Sequence, residues 1–225
     1  MKKFITDTYY MAVIAGLVAT DAPKMFDILF KLDWYRNLHE QWMKEVCAHK
    51  NQGALLEVGC GPGHLAVTAA SWGQQVTALD RSGKMLAKAR RNTESCASIR
   101  LVQASADSIP YENDYFDFAI AASLINVVDD PVTVLKEITR VVSPSGRISF
   151  LVPSKQMNTR TASRFAQTNA LEGMSSGALR TWAALAKKLS RHQCQTIAEK
   201  AGLMNIKVKP VFDNMVFTVT GQPRK

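Results

Sequence analysis

Two hydrophobic periodicities divide the chain. Ahead of residue 50, apolar side chains recur at roughly 3.6-residue spacing over 24–32 and 34–49, which predicts two helices. An unbroken apolar run over 9–19 precedes them and reads as a third helix, buried or lying at an interface. From Ala54 onward the pattern changes to short apolar runs alternating with helical stretches. Strands are predicted over 54–58, 76–79, 99–103, 116–121 and 146–152, the last preceded by the turn Ser143-Pro144-Ser145-Gly146. Helices are predicted over 65–71, 84–92 and 131–141, the last opening with a proline. A long helical stretch follows over 161–189, then a helix over 191–201 stopped by Gly202. Two final runs, 206–211 and 215–220, are separated only by Phe212-Asp213-Asn214, which predicts a hairpin. Strand–helix alternation requires right-handed crossovers between parallel strands, with helices on both faces. The expected fold is therefore α/β: a doubly wound, mostly parallel seven-stranded sheet with an antiparallel C-terminal hairpin and extra N-terminal helices.

The first predicted strand runs into a glycine turn and then a helix: Leu55-Leu56-Glu57-Val58-Gly59-Cys60-Gly61-Pro62-Gly63-His64-Leu65. Glycines let the backbone turn tightly and pass against a ligand where a Cβ would collide. The helix N-terminus beyond them offers free N–H groups and partial positive charge. A dinucleotide fingerprint would place its third glycine at position 64; here it is Gly63, and an acid, Glu57, stands two places before Gly59. Asp80, at the end of the second strand, is placed where a carboxylate can accept both ribose hydroxyls of an adenosine.

These residues match the E-x-G-x-G-x-G first motif of the class I, seven-stranded S-adenosylmethionine-dependent methyltransferases. Three further fragments follow in order: Ala104-Ser105-Ala106-Asp107-Ser108-Ile109-Pro110-Tyr111, Tyr115-Phe116-Asp117, and Leu124-Ile125-Asn126-Val127-Val128-Asp129-Asp130-Pro131. With Arg140-Val141-Val142-Ser143-Pro144-Ser145-Gly146 they resemble the ubiquinone/menaquinone biosynthesis group of that family. The resemblance is close over residues 54–152 and loose at the hairpin. It implies one domain over 1–225: a helical cap (1–50), a cofactor-binding core (51–152), a helical substrate-side insertion (153–190), and a final helix with hairpin (191–225).

The resemblance also implies roles. Gly59, Cys60 and Gly61 would line the methionine part of S-adenosylmethionine, with Glu57 supporting its amino end. Asp80 would hold the ribose, with Arg81 and Met85 beside it and the adenine. Asp107 would reach the adenine amino group, flanked by Ala106 and Ser108, and Ala122 and Ser123 would pass near the sulfonium. Tyr35 falls where members often carry a tyrosine that closes over the cofactor; core packing is the other reading. Asn126 stands where the group usually has histidine; it and Tyr35 are the candidate substrate contacts, but an asparagine cannot serve as a base, and no catalytic residue is assigned.

Composition narrows the rest. The net charge is +9. Residues 1–142 hold 15 Lys/Arg against 16 Asp/Glu, while 143–225 hold 13 against 3, so the excess lies in the last third. That is either a solvated surface or a face for something anionic: an acidic small molecule, a lipid headgroup or a nucleic acid. The N/D-P-P-Y/F signature of nucleic-acid amino methyltransferases is absent after the fourth strand, which argues against nucleobase methylation. The four cysteines form no CxxC pair and the four histidines are scattered, so no metal site is expected. Reduced thiols in a cytoplasmic protein are expected instead. Two lysines and the 9–19 run superficially resemble a signal peptide, but Asp7 interrupts the approach and no small-x-small site follows. Three functions compete: methylation of a small molecule, acidic or amphiphilic; a peripheral-membrane methyltransferase for a quinone precursor or phospholipid headgroup; and a non-enzymatic binding protein on the same fold.

Overall fold

The computed structural model describes residues 2–47 and 53–224, and side chains from residue 8 onward. Its sheet is set by β1 (Ala54–Val58), β2 (Gln75–Asp80), β3 (Ile99–Gln103), β4 (Phe116–Ala122), β5 (Val142–Pro153), β6 (Leu203–Val211) and β7 (Val216–Pro223). The strand order is β3-β2-β1-β4-β5-β7-β6. β1 to β5 pair in parallel, and β7 inserts antiparallel between β5 and β6. The order reverses beside β1, and in open α/β sheets that switch point is where ligands bind.

In β1 the two-residue period turns Leu56 and Val58 into one apolar cluster and Leu55 into the other, so Glu57 shares the Leu55 face. That face is covered by α2 (Ala22–Lys31), α3 (Asp33–Cys47), α4 (His64–Ser71) and α5 (Gly83–Asn92). The opposite face is covered by α6 (Pro131–Val141) and α9 (Arg191–Lys200). Trp42 anchors α3 to the sheet by donating from Nε1 to Ser149 Oγ at 2.7 Å, in a fully buried contact. The predicted end of that helix, at His49, lies outside the described residues.

Two expectations need correction. The 143–146 turn is absorbed into β5: Val142 pairs with Phe116, Arg147 with Phe118, and the residues between form a bulge. Gly146 lies so close to its neighbours there that an added Cβ would sit 2.7 Å from the Asp117 carbonyl oxygen. The 161–189 stretch is two helices, α7 (Thr159–Thr168) and α8 (Gly173–Leu185). Asn169 ends α7 by donating its side-chain amide to the Phe165 carbonyl, and Ala170 then turns left-handed at φ 50°. Residues 186–189 leave the helix, and Leu189 forms a bridge with Ser154. The apolar N-terminal run lies within α1 (Lys2–Thr20), which packs along α8. Ile14 is buried, but Tyr9 is 63% exposed and Val18 44%, so the helix buries one side only.

Candidate functional site

The β1–α4 loop is tied to the end of β2. The Gly59 and Cys60 N–H groups both donate to the Leu79 carbonyl, at 2.8 and 2.9 Å. Gly59, Gly61 and Gly63 all have positive φ, a conformation costly for other residues. At Gly61 an added Cβ would meet nothing nearer than Met85 Sδ at 4.0 Å, so the space beside it is open. Asp80 clamps the loop: Oδ2 accepts the Gly61 N–H and Oδ1 the Ser82 N–H, each at 2.8 Å.

Two cavities meet at this clamp. The first, ≈ 190 Å³, lies between the glycine loop and the α2–α3 cap, and its lining includes Phe26, Phe30, Tyr35, His39, Glu57 and Ser123. The second, ≈ 370 Å³, lies beyond β2 and β3, and its lining includes Arg81, Ala106, Asp107 and Asp129. Gly59, Asp80 and Leu124 line both. Among the described residues, the first cavity thus has no lysine or arginine in its wall, and the second has only Arg81.

The structure brings most of the sequence candidates to this cleft. Tyr35, Glu57, Gly59, Cys60, Gly61, Asp80, Met85, Ala122 and Ser123 line the first cavity. Arg81, Ala106 and Asp107 line the second. Two candidates lie outside both walls. Ser108 is exposed in a turn whose N–H donates to the Ser105 carbonyl. Asn126 is buried, and its Nδ2 donates to the Lys187 carbonyl at 3.0 Å, tying the loop after β4 to the segment after α8. Sequence reasoning missed Phe26, Phe30 and His39. A signal existed: Phe26 and Phe30, and Tyr35 and His39, are each four apart and therefore share a helix face.

Burial dominates the electrostatics. Glu57 is 2% exposed, and desolvation, with the nearby Asp80 charge adding to it, pushes its carboxyl up to about 8; the Ala66 backbone hydrogen bond opposes this. Burial lowers His39 to about 4, against a backbone hydrogen bond to Tyr35. Burial also pushes the Cys60 thiol and the Tyr35 phenol well above their usual ranges. Neither is therefore a ready nucleophile or base at neutral pH. Ser123 holds a left-handed φ of 53° at the cavity wall, a strain of roughly 1–3 kcal/mol that clusters at functional sites. His64 ties the cap down: its Nε2 pairs with Asp27 Oδ1 at 2.9 Å, and Lys88 pairs with Asp27 Oδ2 at 2.6 Å. Phe30 stacks on His64 at 4.6 Å. Among the described residues, no group of His, Cys, Asp or Glu could hold a metal ion.

A glycine loop at the β1 switch point, an acidic clamp at the end of β2 and an inserted antiparallel β7 give the chain the fold of the class I, Rossmann-like methyltransferases. Residues 56–150 match the family model described as a methyltransferase domain. The chain is 33% identical over 123 residues to a demethylmenaquinone methyltransferase of Bacillus licheniformis, covering 52% of this chain and 53% of that protein. It thus spans about half the length of the relatives it matches. Its fold resembles a putative S-adenosyl-L-methionine-dependent methyltransferase of Methanococcus maripaludis, with TM-score 0.66, 17% identity and coverage of 90% of this chain and 92% of that one. It also resembles Haemonchus contortus phosphoethanolamine N-methyltransferase 2, solved with phosphomonomethylethanolamine and S-adenosylhomocysteine (TM-score 0.65, 17% identity, 84% of this chain and 53% of that one).

Proposed function

We propose that the chain transfers a methyl group from S-adenosylmethionine to a small-molecule acceptor. The observation that carries this reading is Asp80, a carboxylate at the junction of two cavities that already fixes the glycine loop. Each of its oxygens accepts one backbone N–H, and a carboxylate offers about four acceptor positions, so capacity remains for two ribose hydroxyls. Asp107 in the second cavity suits an adenine amino group, and Arg81 and Met85 flank the ribose. Glu57, in a cavity whose described residues include no lysine or arginine, suits a ligand end carrying an ammonium and a sulfonium. The cofactor supplies a methyl group on a positively charged sulfur, a leaving group that needs no further activation. The chain then has to bind, align and exclude water. Phe26, Phe30 and Tyr35 form an apolar roof over the methyl end. In-line alignment of this kind lowers barriers by up to ~7–11 kcal/mol in well-oriented models.

A second reading gives the acceptor a class: an amphiphilic quinone precursor met at a membrane surface. It rests on the printed names of the relatives and on α1, whose outer side presents Tyr9 and Val18. The basic residues of the 154–191 stretch line neither cavity, and Lys155, Arg160, Arg164, Lys187 and Arg191 are exposed. They therefore favour attraction to an anionic surface over recognition of an acidic acceptor inside the cleft. Among the described residues no helix is long and apolar enough to cross a membrane, so contact would be peripheral. The free cysteines suit a reducing, cytoplasmic setting. The test is methyl transfer to a reduced demethylated naphthoquinone, with and without anionic liposomes. Transfer enhanced by liposomes supports this reading. Transfer that ignores both the quinol and the membrane returns the acceptor to a small water-soluble molecule.

A further inference from the structure

Buried polar atoms in folded proteins almost always have a hydrogen-bond partner, so an unpaired cluster asks for a ligand. Among the described residues, Glu57 Oε2, His39 Nε2 and Ser123 Oγ are buried without one, and all three side chains line the first cavity. His39 is 1% exposed. Its Nδ1 lies 2.8 Å from the Tyr35 carbonyl oxygen. A carbonyl can only accept, so Nδ1 carries the proton and Nε2 is left as a bare acceptor. Glu57, when ionised, is also purely an acceptor. Once Glu57 ionises, which a cation beside it favours, the cavity presents two unpaired acceptors, one on α3 and one on β1, and among the described residues its wall has no lysine or arginine to serve them. What satisfies both is a compact group with several N–H donors and a positive charge.

We propose that His39 is a cofactor-binding residue whose Nε2, together with the Glu57 carboxylate, accepts the α-ammonium group of S-adenosylmethionine. This rests on the cofactor reading above and adds a residue of the helical cap to it. The ammonium offers three donors, enough for Glu57, His39 and one further acceptor. His39 is held neutral by its burial, so it receives the cation without repelling it. The Tyr35 carbonyl fixes the tautomer, and the ring is packed between Phe30 and Trp42 at centroid distances of 5.5 and 6.4 Å. Its orientation is thus set before any ligand arrives. The Asp27 pairs, which join α2 to α4 and α5, help hold this cap over the glycine loop.

The test compares two ligands by titration calorimetry on the full chain. One is S-adenosylhomocysteine; the other is its deaminated analogue, which keeps the adenosine, thioether and carboxylate but has hydrogen in place of the amino group. His39→Leu should weaken S-adenosylhomocysteine about tenfold to a hundredfold and leave the analogue within about twofold. His39→Gln, whose amide oxygen can occupy the Nε2 position, should recover most of the loss. Equal weakening of both ligands by His39→Leu, or of neither, overturns the proposal. Failure of the Gln variant to bind better than a folded Leu variant also counts against it. If the wild-type chain binds neither ligand, the cofactor reading itself fails, an outcome separate from the others.

Discussion

Asp80 Oδ2 accepts the Gly61 N–H at 2.8 Å, so the carboxylate placed to meet a ribose also holds the loop that meets the methionine end. Asp80→Ala should therefore do two things: remove the ribose acceptor and free the Gly61 amide. A hydrogen bond to a charged group contributes about 1.5–3 kcal/mol, which corresponds to a loss of roughly tenfold or more in cofactor affinity. Titration of the variant with S-adenosylhomocysteine checks this, and affinity within about twofold of wild type would contradict the assignment.

Glu57 gives a pH prediction. Its carboxyl is pushed up to about 8 in the folded chain, against an ordinary 4.5, because burial disfavours the charge. The native state thus keeps a proton that the unfolded chain has lost, and stability falls as pH rises through that window. His39, lowered to about 4 from 6.5, acts in the opposite sense, but only below its unfolded value. Between pH 6.5 and 8 Glu57 is thus the one of the two still titrating. Tm should decline there in wild type and less so in Glu57→Gln, which cannot ionise. Cofactor binding near neutral pH should release a proton, because an ammonium beside Glu57 favours its charged form. Binding heats measured in buffers of different ionisation enthalpy read that release directly; no dependence on buffer would oppose it.

At Gly177 an added Cβ would lie 2.6 Å from Tyr10 Cβ and 3.0 Å from the Tyr10 carbonyl carbon. Helix propensity alone favours alanine by about 1 kcal/mol in a helix interior. The clash with backbone on α1 outweighs that, so Gly177→Ala should destabilise by ~1–3 kcal/mol. Urea denaturation decides the sign, and a stabilised variant would mean that α1 does not pack on α8 this closely.

Asp27 joins α2 to α4 through His64 and to α5 through Lys88. The pairs are partly exposed, so Asp27→Ala should cost only about 1 kcal/mol in stability. Its larger effect should fall on cofactor release, because the cap carrying Phe26 and Phe30 loses its tie. Stopped-flow displacement of bound S-adenosylhomocysteine should show a faster off-rate with little change in Tm.

The core was legible because its signals are local. β1, β3 and α6 lie where short apolar runs, flanking turns and the opening proline put them. The glycine loop and Asp80 were legible because a phosphate- or nucleoside-binding turn needs small residues at set spacing. What escaped depends on chain segments far apart in sequence. The break between α7 and α8 turns on Asn169 and Ala170, neither a strong stop signal alone, and at Gly173, with φ 54°, an added Cβ would come within 3.3 Å of the Tyr10 ring on α1. His39 read as a scattered histidine because nothing in its neighbourhood reveals that α3 brings it to the same cavity wall as Glu57. Asn126 stood out by its motif position, but nothing local to it shows that its Nδ2 donates to the Lys187 carbonyl, 61 residues away.

The central claim is tested most directly by titrating the wild-type chain with S-adenosylmethionine and S-adenosylhomocysteine in a calorimeter. The account predicts saturable one-to-one binding of both in the micromolar range. A folded chain that binds neither would contradict it.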